Sequence, residues 1–214
     1  MTRFEIVQKI IDGGAVAVIR MSDSQKLMHV AEALLEGGIF ALEITMTTPN
    51  ALKVIEEASR ALPKEVLIGV GSVLDSETAR LAINAGAKYV VSPVFKPEVV
   101  QTAHRYNLPV MPGCFTPTEI LTAHELGADI VKVFPADVVG MPFFKAIKAP
   151  MPHLNLMPTG GVSLTNAGEW INAGACAVGV GGALLDKKAI DSENFAQLTE
   201  NARILKQSID AVRK

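Results

Sequence analysis

The sequence has little that would tie the protein to a membrane, a metal ion or a disulfide framework. Cys114 and Cys176 are the only cysteines; they lie far apart in apolar surroundings without CxxC spacing, which predicts buried free thiols. The four histidines show neither HxH nor HExxH spacing, so we expect no metal site. No apolar run reaches the ~18 residues of a membrane span, and the N-terminus does not resemble a signal peptide. These absences predict a cytoplasmic protein.

Charge of one sign is also scarce. The 20 Lys and Arg residues nearly balance the 22 Asp and Glu residues, the formal net charge is −2, and no long block of one sign occurs. This balance argues against nucleic acid or a membrane surface as the partner. We therefore expect a small-molecule ligand.

What the chain has in abundance is apolar residues, at 49% of 214. Runs typical of β-strands begin near Ala15, Phe40, Val66, Lys88, Leu108, Asp129, Leu154 and Cys176. Amphipathic patterns predict helices over residues 4–12, 24–36, 49–61, 76–84, 97–106, 118–126, 141–148, 164–173 and 192–212. Such strands, nearly all apolar, are typical of a sheet that is covered on both faces, with some apolar surface left for a subunit interface.

Several helices end at a glycine that precedes the next β run, as at Gly37, Gly86, Gly127 and Gly174, which marks αβ turns. Eight βα units at a spacing of roughly 20 to 27 residues predict an α/β fold, a single (β/α)8 TIM barrel with an N-terminal helix. We expect the barrel to form one domain over residues 1–214. A doubly wound open sheet is the alternative, but eight evenly spaced apolar strands leave no candidate for an exposed edge.

Residues 129–136, DIVKVFPA, place one lysine in the middle of an apolar strand. Side chains alternate along a strand, so Ile130, Lys132 and Phe134 share one face. A buried lysine loses hydration in its charged form, which lowers its pKa and frees the amine to attack a carbonyl. Lys132 is therefore a candidate Schiff-base nucleophile. The alternative is a structural lysine that extends to solvent or pairs with a carboxylate.

The second strand alternates in the same way. One face carries Glu43, Thr45 and Thr47, and the other carries Leu42, Ile44 and Met46. If the apolar face packs under the helices, Glu43 points into the barrel, where a carboxylate is costly unless it is paired or its pKa is raised. Either condition makes Glu43 a candidate general acid/base. The alternative is a structural partner for Lys132 or Arg20.

Other polar groups follow the predicted strands, at the barrel face where active sites gather. Arg20 ends the first strand, Ser72 follows two glycines that let a ligand approach the backbone, and Ser92-Pro93 ends the fourth strand. Gly160-Gly161 and Gly181-Gly182 follow the seventh and eighth strands, the positions at which this fold most often binds phosphate.

The motifs LEITMTTP, GVGSVLD, VVSP, MPGCFTPTE, IVKVFPA, MPTGGV and AVGVGGAL resemble, in this order, those of the KDPG aldolase family, the 2-keto-3-deoxy-6-phosphogluconate and 4-hydroxy-2-oxoglutarate aldolases. The resemblance covers essentially the whole chain. It implies a (β/α)8 barrel, a homotrimer, and a class I mechanism that needs no metal or cofactor. It also implies Lys132 as the Schiff-base lysine and Glu43 as the acid/base. Substrate-binding roles follow for Arg20, Thr47, Ser72, Pro93 and Phe134, and phosphate-binding roles for Gly160, Gly161, Gly181 and Gly182.

Two positions depart from the family pattern. Some members have an arginine four residues after the glutamate, where this chain has Thr47, so that carboxylate binding falls to Ser72, backbone N–H groups or Arg20. Many members have a serine after the strand 8 glycine, where this chain has Gly182, and the change removes one hydroxyl donor to phosphate. Both a phosphorylated and an unphosphorylated substrate stay open.

The predicted reaction is reversible cleavage of a 2-keto-4-hydroxy acid to pyruvate and an aldehyde, either glyceraldehyde 3-phosphate or glyoxylate. A different enzyme class is the first alternative, a phosphate-binding barrel that decarboxylates or isomerises its substrate while Lys132 and Glu43 form an ion pair. The second alternative is a sugar-phosphate binding module without catalysis.

Overall fold

The computed structural model describes residues 1–21 and 23–213, so residues 22 and 214 of the predicted domain lie outside it. The described strands are β1 (Ala15–Ile19), β2 (Ala41–Thr45), β3 (Leu67–Gly71), β4 (Val90–Val91), β5 (Val110–Met111), β6 (Gly113–Cys114), β7 (Val131–Val133), β8 (Leu156–Pro158) and β9 (Val178–Val180). The described helices are α1 (Arg3–Gly13), α2 (Ser24–Glu36), α3 (Ala51–Ala61), α4 (Ser76–Asn84), α5 (Pro97–Arg105), α6 (Pro117–Glu125), α7 (Ala136–Lys148), α8 (Ala167–Asn172), α9 (Lys187–Asp191) and α10 (Phe195–Asp210).

The strands pair in parallel as a curled six-stranded sheet, β5-β4-β3-β2-β1-β9, and a three-stranded sheet, β6-β7-β8. Only Pro112 separates β5 from β6, and it has no N–H to donate to a neighbouring strand. Its carbonyl still accepts a hydrogen bond from the Lys132 N–H at 3.0 Å. The α/β class and the N-terminal helix are confirmed, whereas regular pairing divides the strands between two sheets.

The two faces of the strands belong to two different apolar cores. The larger core lies between the strands and the helices and contains Leu42 and Ile44 of β2 and Val131 and Val133 of β7. The smaller core lies on the inward face, where its members from the strands and their starts are Val16, Ala41, Leu67, Tyr89, Val91, Met111, Ile130, Met157 and Ala177. The alternation predicted for the second strand and for the lysine strand is therefore confirmed.

Helix α1 closes the inner core at the amino-terminal ends of the strands. It begins with a capping box, in which the Thr2 hydroxyl accepts from the Glu5 N–H and the Glu5 carboxylate accepts from the Thr2 N–H. Ile6 and Ile10 of α1 are buried in the inner core. This end of the strands is therefore apolar, and polar chemistry is left to the opposite end.

The helix predictions fail around α7 and α9. Helix α7 begins at Ala136, not at residue 141, because one helical turn starts directly after β7 and the chain kinks at Gly140, where φ is 69°. Helix α9 was not predicted, since five residues are too short to show a helical period. The Asp186 side chain caps it by accepting from the Ala189 N–H at 3.0 Å.

The described part of the chain contains no helix long and apolar enough to cross a membrane. Within the same residues, no group of three His, Cys, Asp or Glu side chains could hold a metal ion. Both cysteines are free; Cys114 is buried, as predicted, whereas Cys176 is only half-buried. Burial of the sulfur atoms raises the pKa of both thiols to about 12. These thiols are therefore poor nucleophiles at neutral pH.

Ile10→Ala should test the role of α1 in closing the inner core. The deletion leaves a cavity where Ile10 is fully buried, and we expect a loss of about 2–5 kcal/mol in the free energy of unfolding. Phe4→Ala on the same helix is the control, because Phe4 is 76% exposed and its removal should change stability by about 0.5 kcal/mol or less. Urea unfolding measures both values. Equal losses in the two variants would show that α1 does not cover the core.

Candidate active site

Lys132 lies in the middle of β7 and projects from the inward face. Lys132 is only 5% exposed, and its partners in the parallel register are Gly113 on β6 and Met157 on β8. The amine Nζ lies 5.0 Å from the centre of the Phe134 ring, so an aromatic face borders the nitrogen. The structure thus brings Lys132 and Phe134 together, as the alternation in this strand predicts.

Glu43 lies on the inward face of β2 and is 1% exposed. Its Oε2 atom has no hydrogen-bond partner in the described part of the chain. Burial raises the pKa of the Glu43 carboxyl, while the positive charges of Lys132 and Arg20 act in the opposite direction. Neither cation forms an ion pair with Glu43 among the described residues. The positive charge of the Lys132 amine therefore acts on the Glu43 carboxyl, although the two groups form no ion pair among the described residues.

The two glycines before Ser72 have a different role from the one that the sequence suggests. A Cβ at Gly71 would overlap the Glu43 carboxyl, and a Cβ at Gly69 would overlap the ring of Tyr89. The glycines of β3 therefore make room for side chains of the neighbouring strands, not for a ligand. Ser72 itself has a φ of 60°, in the left-handed region, where the chain turns away from β3.

The remaining polar groups of β2 and β4 lie just past their strands. The Thr47 side chain is exposed, and its hydroxyl lies 2.8 Å from that of Thr45, the last residue of β2. The Pro93 carbonyl packs against Gly113, the register partner of Lys132. Pro93 thus lies near the lysine strand β7, whereas the Thr47 side chain is exposed to solvent past the end of β2.

A cavity of about 310 Å³ joins Arg20 and Phe134 to both predicted glycine pairs. It is lined by Val18, Arg20, Phe134, Thr159, Gly160, Gly161, Val162, Gly179, Gly181, Gly182 and Ala183. The Gly182 position is open, since a Cβ there would meet no atom within 4 Å. The structure therefore gathers six of the predicted residues around one cavity, which includes Phe134, the residue whose ring borders the Lys132 amine.

Three residues in and around this site were missed by the sequence analysis. Thr159 lines the cavity, and its hydroxyl is buried without a partner in the described residues. Its position directly before Gly160 is a signal that could have indicated it. The Asp137 carboxylate borders the Gly160-Gly161 loop, and Tyr89 lies beside Glu43 in the inner core. Both contacts join separate segments of the chain, so spacing alone could not predict them.

An α/β fold that buries a lysine and a carboxylic acid on the inward face of its parallel strands is suited to an enzyme that acts on carbonyl compounds. The chain belongs to the KDPG and KHG aldolase family, whose model matches residues 6–201. The predicted family is therefore confirmed, and with it an enzyme of the carbon–carbon lyase class.

Individual relatives agree with this assignment. The chain is 37% identical to a 2-dehydro-3-deoxy-phosphogluconate aldolase of Pseudomonas aeruginosa, over 87% of this chain and 84% of the relative. It is 34% identical to a 2-dehydro-3-deoxy-6-phosphogalactonate aldolase of Escherichia coli, over 78% of this chain and 82% of the relative. A KDPG aldolase of Legionella pneumophila, solved with pyruvate as a covalent carbinolamine intermediate, has a TM-score of 0.86 at 29% identity; the match covers 93% of this chain and 97% of that chain.

The raised pKa of Glu43 predicts how stability depends on pH. Between the unfolded-state pKa of ~4.3 and the raised native pKa, the native state holds a proton that the unfolded chain has lost. The wild type therefore loses stability as pH rises through this interval, and Glu43→Gln does not. The unfolding free energy of the variant minus that of the wild type should increase with pH above about 4.

Chemical denaturation at a series of pH values measures this difference. Glu119→Gln is the control. Backbone N–H groups of Phe115 and Thr116 lower the pKa of the Glu119 carboxyl, so the difference in unfolding free energy between this variant and the wild type should change with pH in the opposite direction. Parallel stability curves for the wild type and Glu43→Gln would contradict the raised pKa.

Proposed function

We propose that this protein is a class I aldolase that reversibly cleaves a 2-keto-4-hydroxy acid, with Lys132 as Schiff-base nucleophile and Glu43 as general acid/base. One observation carries the proposal: an amine and a carboxyl are both buried on the inward face, where the positive charge of Lys132 acts on Glu43. The alternative without a covalent intermediate requires an ion pair between the two residues, and none is formed within the described part of the chain. Membership of the aldolase family supports the covalent mechanism.

The reaction begins when the neutral Lys132 amine attacks the C2 ketone of the substrate to give a carbinolamine. The Legionella pneumophila relative was captured with pyruvate at this stage. Loss of water gives an iminium, whose nitrogen accepts the electron pair of the breaking C3–C4 bond. Glu43 takes the proton of the C4 hydroxyl as the aldehyde leaves, and it later protonates C3 of the enamine. Hydrolysis of the resulting iminium releases pyruvate and restores the lysine.

We assign the pyruvate half and the aldehyde half of the substrate to two different groups of residues. Ser72, Pro93 and Thr47, which follow β3, β4 and β2, would bind the pyruvate half, with hydroxyl and backbone groups for its carboxylate. The aldehyde half would extend into the cavity of about 310 Å³ next to Phe134. Arg20 lines that cavity, and its guanidinium suits a terminal phosphate or carboxylate.

The substrate is 2-keto-3-deoxy-6-phosphogluconate, 4-hydroxy-2-oxoglutarate, or both, with glyceraldehyde 3-phosphate or glyoxylate as the aldehyde product. The backbone of Gly160, Gly161, Gly181 and Gly182 supports a phosphate site, since these glycines line the same cavity as Arg20. The Asp137 carboxylate beside Gly160 and Gly161 acts against a phosphate dianion. The Escherichia coli relative is a 2-dehydro-3-deoxy-6-phosphogalactonate aldolase, so the galactonate epimer of the phosphorylated substrate is compared with these substrates in the assay below.

A single closed (β/α)8 barrel over residues 1–214 is the fold that we propose for this enzyme. The adjacency of β5 and β6 supports closure on one side, and the parallel bridges Leu156↔Ala175 and Thr159↔Gly179 support it on the other. The homotrimer and the cytoplasmic location stay predictions.

Lys132→Arg should abolish turnover, because a guanidinium stays protonated and cannot form the imine. Reduction with borohydride in the presence of pyruvate should add a stable adduct to the wild type at Lys132 and none to the variant, as measured by mass spectrometry of tryptic peptides. The exposed Lys64 provides the control, and Lys64→Arg should retain activity and the adduct. An adduct at another lysine, or activity in Lys132→Arg, would refute the assignment.

Arg20→Ala should show which half of the substrate Arg20 binds. Loss of a hydrogen bond to a charged group costs about 1.5–3 kcal/mol, so kcat/KM should fall roughly 10- to 100-fold for substrates whose aldehyde half is anionic. The assay compares 2-keto-3-deoxy-6-phosphogluconate, its galactonate epimer and 4-hydroxy-2-oxoglutarate. Borohydride trapping of pyruvate should not change.

The exposed Arg105 provides the control, and Arg105→Ala should leave all these rates unaltered. If Arg20→Ala instead weakens the trapping of pyruvate, Arg20 binds the pyruvate carboxylate and the assignment of the two halves is wrong.

A further inference from the structure

Two buried polar atoms of the inner core have no hydrogen-bond partner among the described residues: the hydroxyl of Tyr89 and Oε2 of Glu43. The Tyr89 residue is wholly buried, and Glu43 is nearly so. Polar groups buried in this way are nearly always paired in folded proteins, because leaving one unpaired costs stability. The two atoms therefore call for a common explanation.

The glycines of β3 bring these side chains to the same place. Gly69 is the register partner of Glu43, and the Tyr89 ring fills the space that a Cβ of Gly69 would take. The ring atoms there include Cζ, which carries the hydroxyl. Gly71 lies two residues further on the same face, and the Glu43 carboxyl fills its Cβ space. Tyr89 and Glu43 thus reach over the same face of one strand from opposite sides.

We infer that Tyr89 is a positioning residue for Glu43: its hydroxyl donates a hydrogen bond to one water molecule, which in turn donates a hydrogen bond to the Glu43 carboxylate. The inference rests on the proposed function of Glu43 as acid/base. A carboxylate held in this way presents its other oxygen to the substrate joined to Lys132, which is what transfer of a proton at C3 and C4 requires.

The chemistry of the surrounding groups agrees with Tyr89 as the donor. The groups whose charges act on Glu43 are Lys132 on β7 and Arg20 after β1, and Tyr89 approaches it from the position directly before β4. Burial and the negative charge of Glu43 raise the pKa of the Tyr89 phenol well above its ordinary value. The phenol therefore keeps its proton over the working pH range and can donate it in a hydrogen bond to a water molecule that bridges to the carboxylate.

Tyr89→Phe removes the hydroxyl and keeps the ring over Gly69. A hydrogen bond to the charged form of an acid favours that form. Its loss should therefore raise, by about one pH unit, the pH at which the exchange rate described next falls off on the acidic side of its pH profile, the acidic limb. The reaction to follow is hydrogen–deuterium exchange at the methyl group of pyruvate, measured by NMR. We expect exchange below the limb to fall about 10-fold, whereas borohydride trapping of pyruvate at Lys132 should be unchanged.

Tyr106→Phe is the matched control, because Tyr106 is 38% exposed and its ring lies over Arg80, away from the inner core. Its exchange profile should match that of the wild type. If the Tyr89→Phe profile also matches the wild type while trapping persists, the inference is overturned and the proposed function stands. Failure of the wild type to trap pyruvate would overturn the proposed function instead.

A second measurement needs neither catalysis nor the Tyr89 variant. The chain has two tyrosines, so labelling with ¹³Cζ-tyrosine gives two resonances, and Tyr106→Phe identifies them. The Tyr89 resonance should shift as Glu43 titrates in the wild type and should lose this shift in Glu43→Gln. A Tyr89 resonance that does not respond to the Glu43 titration would overturn the inference even if Tyr89→Phe fails to fold.

Discussion

The burial of Glu43 and Lys132 on one face of the strands is the constraint on which the rest of the site depends. Removing a carboxylate and an ammonium from water is costly, and no direct ion pair between them offsets that cost within the described residues. The protein is left with a carboxyl whose pKa is raised by burial and a lysine enclosed by apolar neighbours. Such surroundings suit the imine formation and the proton transfer that we propose for these two residues.

Stability and chemistry are separated along the strands. At the amino-terminal ends, Ile6 and Ile10 of α1 close the inner core with apolar contacts. Glu43 and Lys132 follow in the middle of β2 and β7, and the cavity lined by glycines lies at the carboxyl ends of the strands. The strands thus position the reactive groups. The loops that follow the carboxyl ends of the strands are the part of this fold that varies between enzymes with different substrates.

Much of this arrangement could be predicted because it depends on local periodicity. The period of two in β2 and β7 is sufficient to turn Glu43 and Lys132 to the same face as Ala41 and Ile130. Where the prediction failed, a different local rule acted: Pro112 interrupts the pairing of strands, and α9 is too short to show a period. Gly69 and Gly71 were interpreted as room for a ligand because a glycine in a sequence does not reveal what fills its missing side chain.

Alternation and helical period, which are properties of neighbouring residues, were enough to identify the α/β class, the buried lysine and the buried glutamate. The space over β3 is different, because Glu43 of β2 and Tyr89, which precedes β4, share it only once the chain has folded. The same holds for Asp137 beside the Gly160-Gly161 loop and for Thr159 and Arg20 around one cavity. Contacts between distant segments depend on the packing of whole strands and helices, so no spacing in the sequence encodes them directly.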